Sequence, residues 1–585
     1  MSRELDNHHP YEKPTLSKAV VFRAKATLLQ IRRAANNVLE NEITRFPAGE
    51  VSSNEAIIGE SKTRLWAHDN DLEIHLSAGK VHNLRLALRR LNGVEIPADG
   101  VFSFWAQVGR TSRWQGYVAG RELREGCIIP TIGGGLCQLS NALYDAALSA
   151  NFKIIERHAH TQVMPGSLAE VGRDATVFWN YVDLRFKSSA PFRIEATMDA
   201  EFLTVRFRSV VNQTKPVRHS NTRILAVASS TPQSCVTCDV FDCFRHAAHK
   251  DAAFGRSAFL VDEYYPEFDS YIRAARRERD LLAIPINGQR FGKTNYAWTT
   301  KGFGAVKQSR AVTMLRAYQS RKLAAQGPAR QRALLAHSER LARSYSAFLK
   351  YDFLHVTVSQ NLLPFLWRGG YLGGRTFDVL MTSTPLALLH ERLDAAFALH
   401  PASKTLADFR APEWLIRAES DALKHARWIV TPHSGIAALY PRKAMLLEWA
   451  MPAKIAPKRR SVAGARIAFP APTVGRKGAY ELRAAIQGLD IQLVTIGAQL
   501  EGPDFWRGIQ IEQRTNNQDW LDGIDVVVLP AFVEHKPRRL LEAVACGKPV
   551  IASSACGLEN VKEVINVPVG DVEALREQIK RVLSV

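Results

Sequence analysis

The sequence predicts an α+β region near the N-terminus, followed by an α/β half made of two doubly wound parallel sheets. Three observations carry this. Between about 95 and 210, the runs KIIERHAH, ATVFWNYVDLRF, FRIEATM and FLTVRF read as strands, with one helix behind a glycine cluster. From RILAVASS (223–230) onward, buried-type strands and helical patterns form an alternation that resumes at ARIAFPAP, as parallel sheets require. The stretch MPAKIAPKRRSVAG, residues 451–464, cuts that alternation in two, and the polar VVNQTKPVRHSNT separates it from the region before. The expected division is 1–79 helical and basic, 80–210 α+β, and 222–450 and 464–585 α/β.

The length of 585 residues suits three or four compact units. Hydrophobic residues make up 46% and charged residues 23%, and no apolar run approaches the roughly 18 residues of a membrane span, which argues against an integral membrane protein. The polar start MSRELDNHHPYEKP has no apolar signal core, so the cytoplasm is the default address, and seven cysteines do not suggest a disulfide framework. The net charge of +20 calls for an anionic partner. Half of it falls on residues 301–350, a mostly helical stretch with eleven Lys/Arg against the single acid Glu339. Anionic lipid head groups, phosphorylated acceptors and nucleic acid are candidates, as is a merely solvated surface, and no stacking-rich motif supports nucleic acid.

Taken in order, residues 16–45 form an amphipathic helix. Leu16, Val20, Ala24, Leu28, Ile31, Ala35 and Val38 recur at three- and four-residue steps, accompanied by Lys18, Arg23, Lys25, Arg32 and Arg33. Such a helix lies on a membrane surface or packs on its own domain. Next, in IGGGLCQLSNALYDAAL, three glycines permit a sharp turn, and Leu139, Leu143, Ala146 and Ala147 set up a helix with Cys137 near its first turn. A helix N-terminus favours a thiolate. In ERHAH, strand alternation places His158 and His160 on one face. With Asp174 or Asp183 to orient an imidazole and glycine N–H groups as an oxyanion hole, this is an arrangement for nucleophilic acyl transfer. The alternative is a tight turn with Cys137 packed as a small hydrophobe.

The runs GVFSFWAQVGRTSRWQGYVAGRELREG, GGGLCQLSNALYDAAL, ERHAH and GRDATVFWNYVDLRFKSS closely resemble the VanW domain over about residues 80–208. The resemblance implies a link to cell-wall peptide chemistry, which suits a cysteine nucleophile.

In the last 120 or so residues, ARIAFPAP, DIQLVTIG, DVVVLPA and PVIASS read as strands, while KGAYELRAAIQG, NNQDWLDGI, PRRLLEAVACG and VEALREQIKRVL read as helices. Glu534 follows a strand end, where a carboxylate reaches ligand hydroxyls. Pro537 suits the first helical turn, N–H groups around Arg538 and Arg539 can receive phosphate oxygens, and Glu542 can accept from a ribose diol. A capped, solvated helix is the alternative. The pattern AFVEHKPRRLLEAVACGKPVIAS resembles the E-x7-E motif of retaining GT-B glycosyltransferases, with Glu534 and Glu542 as its two acids. That resemblance implies two Rossmann-like domains and a nucleoside-diphosphate sugar as co-substrate, with no tightly bound cofactor or metal. It places Glu534 at the transferred sugar and Glu542 at the ribose. Lys477 in GRKGAYEL resembles the Lys that neutralises the donor diphosphate, with Arg476 standing in for an Arg missing from its usual place.

Residues 222–450 are then the acceptor domain, where His355 and His433 are weak candidates. Cys235, Cys238, Cys243, His246 and His249 supply enough ligands for zinc, at a spacing of no familiar module. The expected function is glycosyl transfer to an envelope-type, lipid-linked or otherwise anionic acceptor, at the cytoplasmic side and in peripheral contact with an anionic membrane. A Cys-dependent acyl or peptide transferase with a carbohydrate-binding C-terminal half, or a non-catalytic surface-associated scaffold, are the competing expectations.

Overall fold

The computed structural model describes residues 16–584 apart from 41–43, 53, 67–73, 125–126, 161–165, 211–232, 235–254, 324–326, 408–409, 454–463 and 515–518. The chain forms two compact units, one of residues 1–256 with 350–354 and 369–375, the other of residues 257–349, 355–368 and 376–585.

In the first unit the amphipathic helix spans Leu16–Glu40. Ala26 is buried, Asn180 Nδ2 donates to Gln30 O at 3.0 Å and Arg33 pairs with Glu156, whereas Val20, Leu28 and Ile31 stay exposed. The helix is thus tied to its own unit without burying that apolar group. Behind it lies a four-stranded sheet in the order Ile57–Arg64, Phe202–Ser209, Phe192–Met198, Glu95–Ile96, antiparallel throughout. FRIEATM obeys strand alternation: Phe192, Ile194, Ala196 and Met198 are buried, while Arg193 and Glu195 stand on the other face. Glu195 accepts from Arg208 Nε at 2.6 Å on the neighbouring strand. Phe152, Phe186, Phe192 and Phe207 meet on the inner face with ring centroids 4.5–6.2 Å apart.

Three expectations in this unit need correction. KIIERHAH is strand only over Lys153–Glu156, so His158 and His160 do not share a strand face. ATVFWNYVDLRF is strand only from Arg185, because the chain reverses at 178–182 with Asn180 at φ 48°, a conformation Asn tolerates. A helix at Ile74–Leu91 was not anticipated. Its inward Asn83 hides the apolar period, and it is buried because its side chain bonds Val118 N, Val118 O and Gly134 O at 2.9–3.0 Å.

The second unit contains both parallel sheets. The first runs Ala305–Gln308, Leu281–Ile284, Arg256–Leu260, Phe353–Ser359, Thr376–Leu380, Trp428–Thr431, Ala444–Leu446. RILAVASS, expected to open it, lies outside the described residues. The basic stretch 301–350 is helical over Arg310–Lys322 and Pro328–Ser346. The second sheet runs Gln510–Arg514, Ile491–Ile496, Ala465–Phe469, Val526–Leu529, Val550–Ser553, Val564–Val567, and all its pairs are parallel. Val526–Leu529 and Val550–Ser553 are wholly buried, as strands covered on both faces must be. NNQDWLDGI forms no helix in its described part. The edge strand Gln510–Arg514 was missed because QIEQR is polar and half exposed.

The strand order is 3-2-1-4-5-6-7 in the first sheet and 3-2-1-4-5-6 in the second, so each reverses direction of travel beside its first strand. Such switch points open a crevice at the carboxyl edge where ligands bind.

Candidate functional site

In the second sheet the switch point lies between Ala465–Phe469 and Val526–Leu529, and the loops leaving these two strands carry Lys477 and Glu534. The loops are stitched together: the N–H groups of Phe532 and Val533 donate to Arg476 O at 3.0 and 3.2 Å. Gly478, at φ 76°, makes the approach possible, since a Cβ there would stand 2.0 Å from Pro530 O. As a result Lys477 Nζ donates to Glu534 Oε2 at 2.8 Å and to Val533 O at 3.1 Å. Glu534 also accepts from Lys536 N at 2.8 Å. Burial pushes this carboxyl up, but the Lys477 ammonium, with His535 and the Lys536 N–H, outweighs it and holds Glu534 down to about 2. Glu534 is therefore a fixed anion, paired with a cation that has three donors and uses two of them here.

The helix Arg538–Ala545 leaves the same edge. Glu542 lies on it and accepts from Trp520 Nε1 at 3.3 Å. Arg539 donates to Pro470 O at 2.6 Å. Its guanidinium is lowered by burial and opposed by the fields of both Glu542 and Glu534, which places all three in one neighbourhood.

One expectation is corrected here. Pro537 precedes the helix as its cap residue, and the Arg538 N–H bonds Lys536 O at 2.7 Å. The Arg538 guanidinium is engaged by a protein carboxylate. It forms a two-pronged pair with Glu267, whose side chain is fully buried, in the first turn of the helix Pro266–Ala275. Beside it Lys536 Nζ reaches Glu263 Oε1 at 2.7 Å. These pairs link the two sheets beside Lys477 and Glu534.

The carboxyl edge of the first parallel sheet contains residues that the sequence did not single out. Asp262, just past Arg256–Leu260 and 2% exposed, binds Arg316 Nη1 at 2.9 Å and Asn361 Nδ2 at 2.6 Å. The one available signal was an acidic pair ending the apolar run SAFLV. His355 is in the amino half of its strand, away from the carboxyl edge, held by Thr376 Oγ1 at 2.9 Å and Asp378 at 3.2 Å. His433 is buried. Its Nδ1 accepts from Ile436 N as a helix cap, and its Nε2 lies 3.2 Å from Ala555 O. Arg476 follows Gly475 in the Lys477 turn, and its carbonyl accepts from the N–H groups of Phe532 and Val533.

In the first unit Cys137 opens the helix Cys137–Ser149. Gly135, at φ 96°, cannot bear a Cβ, which would meet Lys80 Cγ at 2.1 Å. The N–H groups of Gly133 and Gly134 are taken by Val118 O and Thr131 O, so these two do not form an oxyanion hole. The Cys137 thiol is half-buried, 3.6 Å from Thr176 Oγ1 and 3.9 Å from Val177 O. Residues 158–160 are bonded to the same segment, 174–177, that the thiol touches, and His160 lowers the thiol. The His160 ring Nδ1 lies 2.6 Å from Asp174 Oδ1. His158, in contrast, is half exposed and lies 3.3 Å from Glu156. Asp183 is spent on Ser103 Oγ, Trp105 N and Arg185. The cluster Cys235, Cys238, Cys243, His246 and His249 lies outside the described residues. Among the described residues no group of three or more His, Cys, Asp or Glu is arranged to hold a metal ion.

A family model described as VanW like protein matches residues 79–208, and one described as Glycosyl transferases group 1 matches residues 477–585. The chain is 31% identical over 150 residues to the Vancomycin B-type resistance protein VanW of Enterococcus faecalis, covering 25% of this chain and 54% of that protein. It is 34% identical over 107 residues to the uncharacterized protein YoaR of Bacillus subtilis, covering 18% of this chain and 35% of that protein. The chain thus spans about half or less of the curated relatives it matches. Among solved structures, sucrose-phosphate synthase from Thermosynechococcus elongatus superposes with a TM-score of 0.34 at 15% identity, over 56% of this chain and 90% of that one.

Proposed function

We propose that this chain, which carries a VanW-type domain at residues 79–208 and a group 1 glycosyltransferase domain at residues 477–585, moves a glycosyl group from a nucleoside-diphosphate sugar to an acceptor held by the first parallel sheet. The observation that carries this reading is the Lys477–Glu534 pair at the switch point of a doubly wound sheet. As the bond from sugar to diphosphate breaks, negative charge grows on the leaving oxygens. Lys477 meets it with the donor not used by Glu534 or Val533, and Arg539 adds a second positive charge. Glu534, held ionised, accepts from hydroxyls of the transferred sugar, and Glu542 accepts from the ribose. The spacing of the two acids supports retention of anomeric configuration, and the cationic side chains support a reaction that continues in excess EDTA.

The test is release of nucleoside diphosphate from a panel of nucleoside-diphosphate sugars. Wild type is expected to hydrolyse one of them slowly and to be stabilised thermally by the matching diphosphate. Glu534→Ala is expected to lose both responses. A wild type that neither binds nor hydrolyses any member of the panel rejects the reading.

A second surface supports a reading of the acceptor and its location. Met314 (63% exposed), Tyr318 (56%) and Phe291 (43%) stand in solvent, with Arg310 5.8 Å from the Phe291 ring centroid and Lys322 4.3 Å from that of Tyr318. Exposed apolar side chains ringed by cations suit an anionic membrane surface, and hence a lipid-linked acceptor at the cytoplasmic face. Among the described residues no helix is long and apolar enough to cross a membrane. Arg316 is excluded from this surface because it is committed to Asp262. The protein is expected to float with phosphatidylglycerol vesicles and not with phosphatidylcholine ones. Arg310→Glu and Lys322→Glu should each weaken binding roughly fivefold, about 1 kcal/mol per basic group. Equal binding to both vesicles would rule out the electrostatic contact.

A further inference from the structure

We propose that Cys137, His160 and Asp174 form a second active centre, independent of glycosyl transfer, in which the cysteine cleaves an amide through a thioester that water then resolves.

The geometry begins with residues 174–177, which are held against the helix Cys137–Ser149 on one side and residues 158–160 on the other. Ala175 N donates to Asn141 Oδ1 at 2.7 Å on the helix side. Thr176 N donates to His158 O at 2.8 Å on the other. This short segment therefore presents Asp174 to His160 and Thr176 to the Cys137 sulfur. Asp174 is 4% exposed and clamps His160 twice, accepting from its N–H through Oδ2 at 2.5 Å and meeting Nδ1 through Oδ1. With Nδ1 so engaged, Nε2 is the ring nitrogen that remains to serve the Cys137 sulfur.

A packed, inert cysteine would not account for this. A buried carboxylate that orients an imidazole beside a partly buried thiol at a helix start is the nucleophile, base and orienter relationship of acyl-transfer sites. Electrostatics agree with the geometry. Burial raises the thiol, but His160, Val177 O and Thr176 outweigh it and leave Cys137 below the ordinary thiol value. Burial lowers His160, but Asp174 and Cys137 outweigh it and raise the imidazole to about 10. Both shifts bias the pair towards thiolate and imidazolium.

In the first step the Cys137 sulfur attacks the amide carbonyl carbon, and an S–C bond forms while the carbonyl pair moves onto oxygen. The Cys137 N–H, at the first helical position and without an intrahelical acceptor, is the local donor for that oxygen. The tetrahedral centre collapses, the C–N bond breaks, and the amine leaves with the proton of His160 Nε2. Water then attacks the thioester and gives its proton to His160, the C–S bond breaks, and a carboxylic acid leaves as the thiolate and imidazolium are restored. An amide is the substrate class because its amine must be protonated to depart, and the imidazolium supplies that proton.

The test uses the full chain. p-Nitrophenyl acetate should give a burst of p-nitrophenol stoichiometric with protein and an acetyl group mapped by mass to Cys137. Iodoacetamide should alkylate Cys137 at neutral pH roughly tenfold faster than glutathione, a free thiol of pKa about 8.5 being mostly protonated there. The wild-type rate should be nearly flat between about pH 6 and 8, and His160→Gln should restore the rise of a free thiol. Asp174→Asn should shift the profile in the same direction. A wild-type profile that already rises like glutathione, acetylation confined to other cysteines, or a folded His160→Gln protein with an unchanged profile would each overturn the proposal. Since the first two need no variant, misfolding cannot shield it.

Discussion

Lys477→Ala is expected to lower turnover of the nucleotide-sugar donor by about 10²–10³-fold, the usual loss when a preorganised group facing developing charge is removed. The side chain does two jobs in this site. It offers a cation to the leaving diphosphate, and it compensates the charge of Glu534, to which it donates at 2.8 Å. Without it, burial acts on Glu534 unopposed by its main partner and the carboxyl moves up from about 2. This has a consequence for stability that is separable from catalysis. A carboxyl held at about 2 in the folded protein, against 4.5 ordinarily, contributes stability that is present above pH 4.5 and is lost as pH falls towards 2. The melting temperature of wild type should therefore exceed that of Lys477→Ala near neutrality, and the difference should shrink on acidification across that interval. A difference that stays constant from pH 6 to below about 3 would show that the pair does not shift Glu534.

The second large effect is expected at Glu267. Its carboxylate is fully buried and is held by Arg538, from the other sheet of the second unit, and by Ala450 N at 2.8 Å. Removing one member of a buried ion pair leaves the other uncompensated, at a cost of about 3–5 kcal/mol. Arg538→Ala should accordingly lower the melting temperature by roughly 5–15 °C. Arg538→Met combined with Glu267→Leu should recover a good part of this, because no orphan charge remains. Donor binding offers a second readout. If Arg538 held the diphosphate, Arg538→Lys would weaken nucleoside diphosphate binding at a temperature where the protein is folded, whereas a bridging role leaves binding near wild type.

The elements that were legible in advance are those whose pattern is local. Ala465–Phe469, Ile491–Ile496, Val526–Leu529 and Val550–Ser553 are buried on both faces and therefore read as apolar runs. Lys477 could be read because its setting in GRKGAYEL resembles a family element. Gln510–Arg514 could not, since a polar edge strand is made by the neighbour it pairs with. The choice of His160 over His158 and of Asp174 over Asp183 was equally invisible. Residues 157–160 leave the strand, and both aspartates are buried, so only the packing of 174–177 beside Cys137 distinguishes them. Arg538 shows the same limit from the other side. Its type and position suit a phosphate, yet a buried Glu267 some 270 residues away takes its guanidinium. Periodicity, glycine placement and charge act over a few residues and so are written along the chain. Which cation meets which carboxylate depends on surfaces brought together by burial, and that information exists only once the sheets have packed.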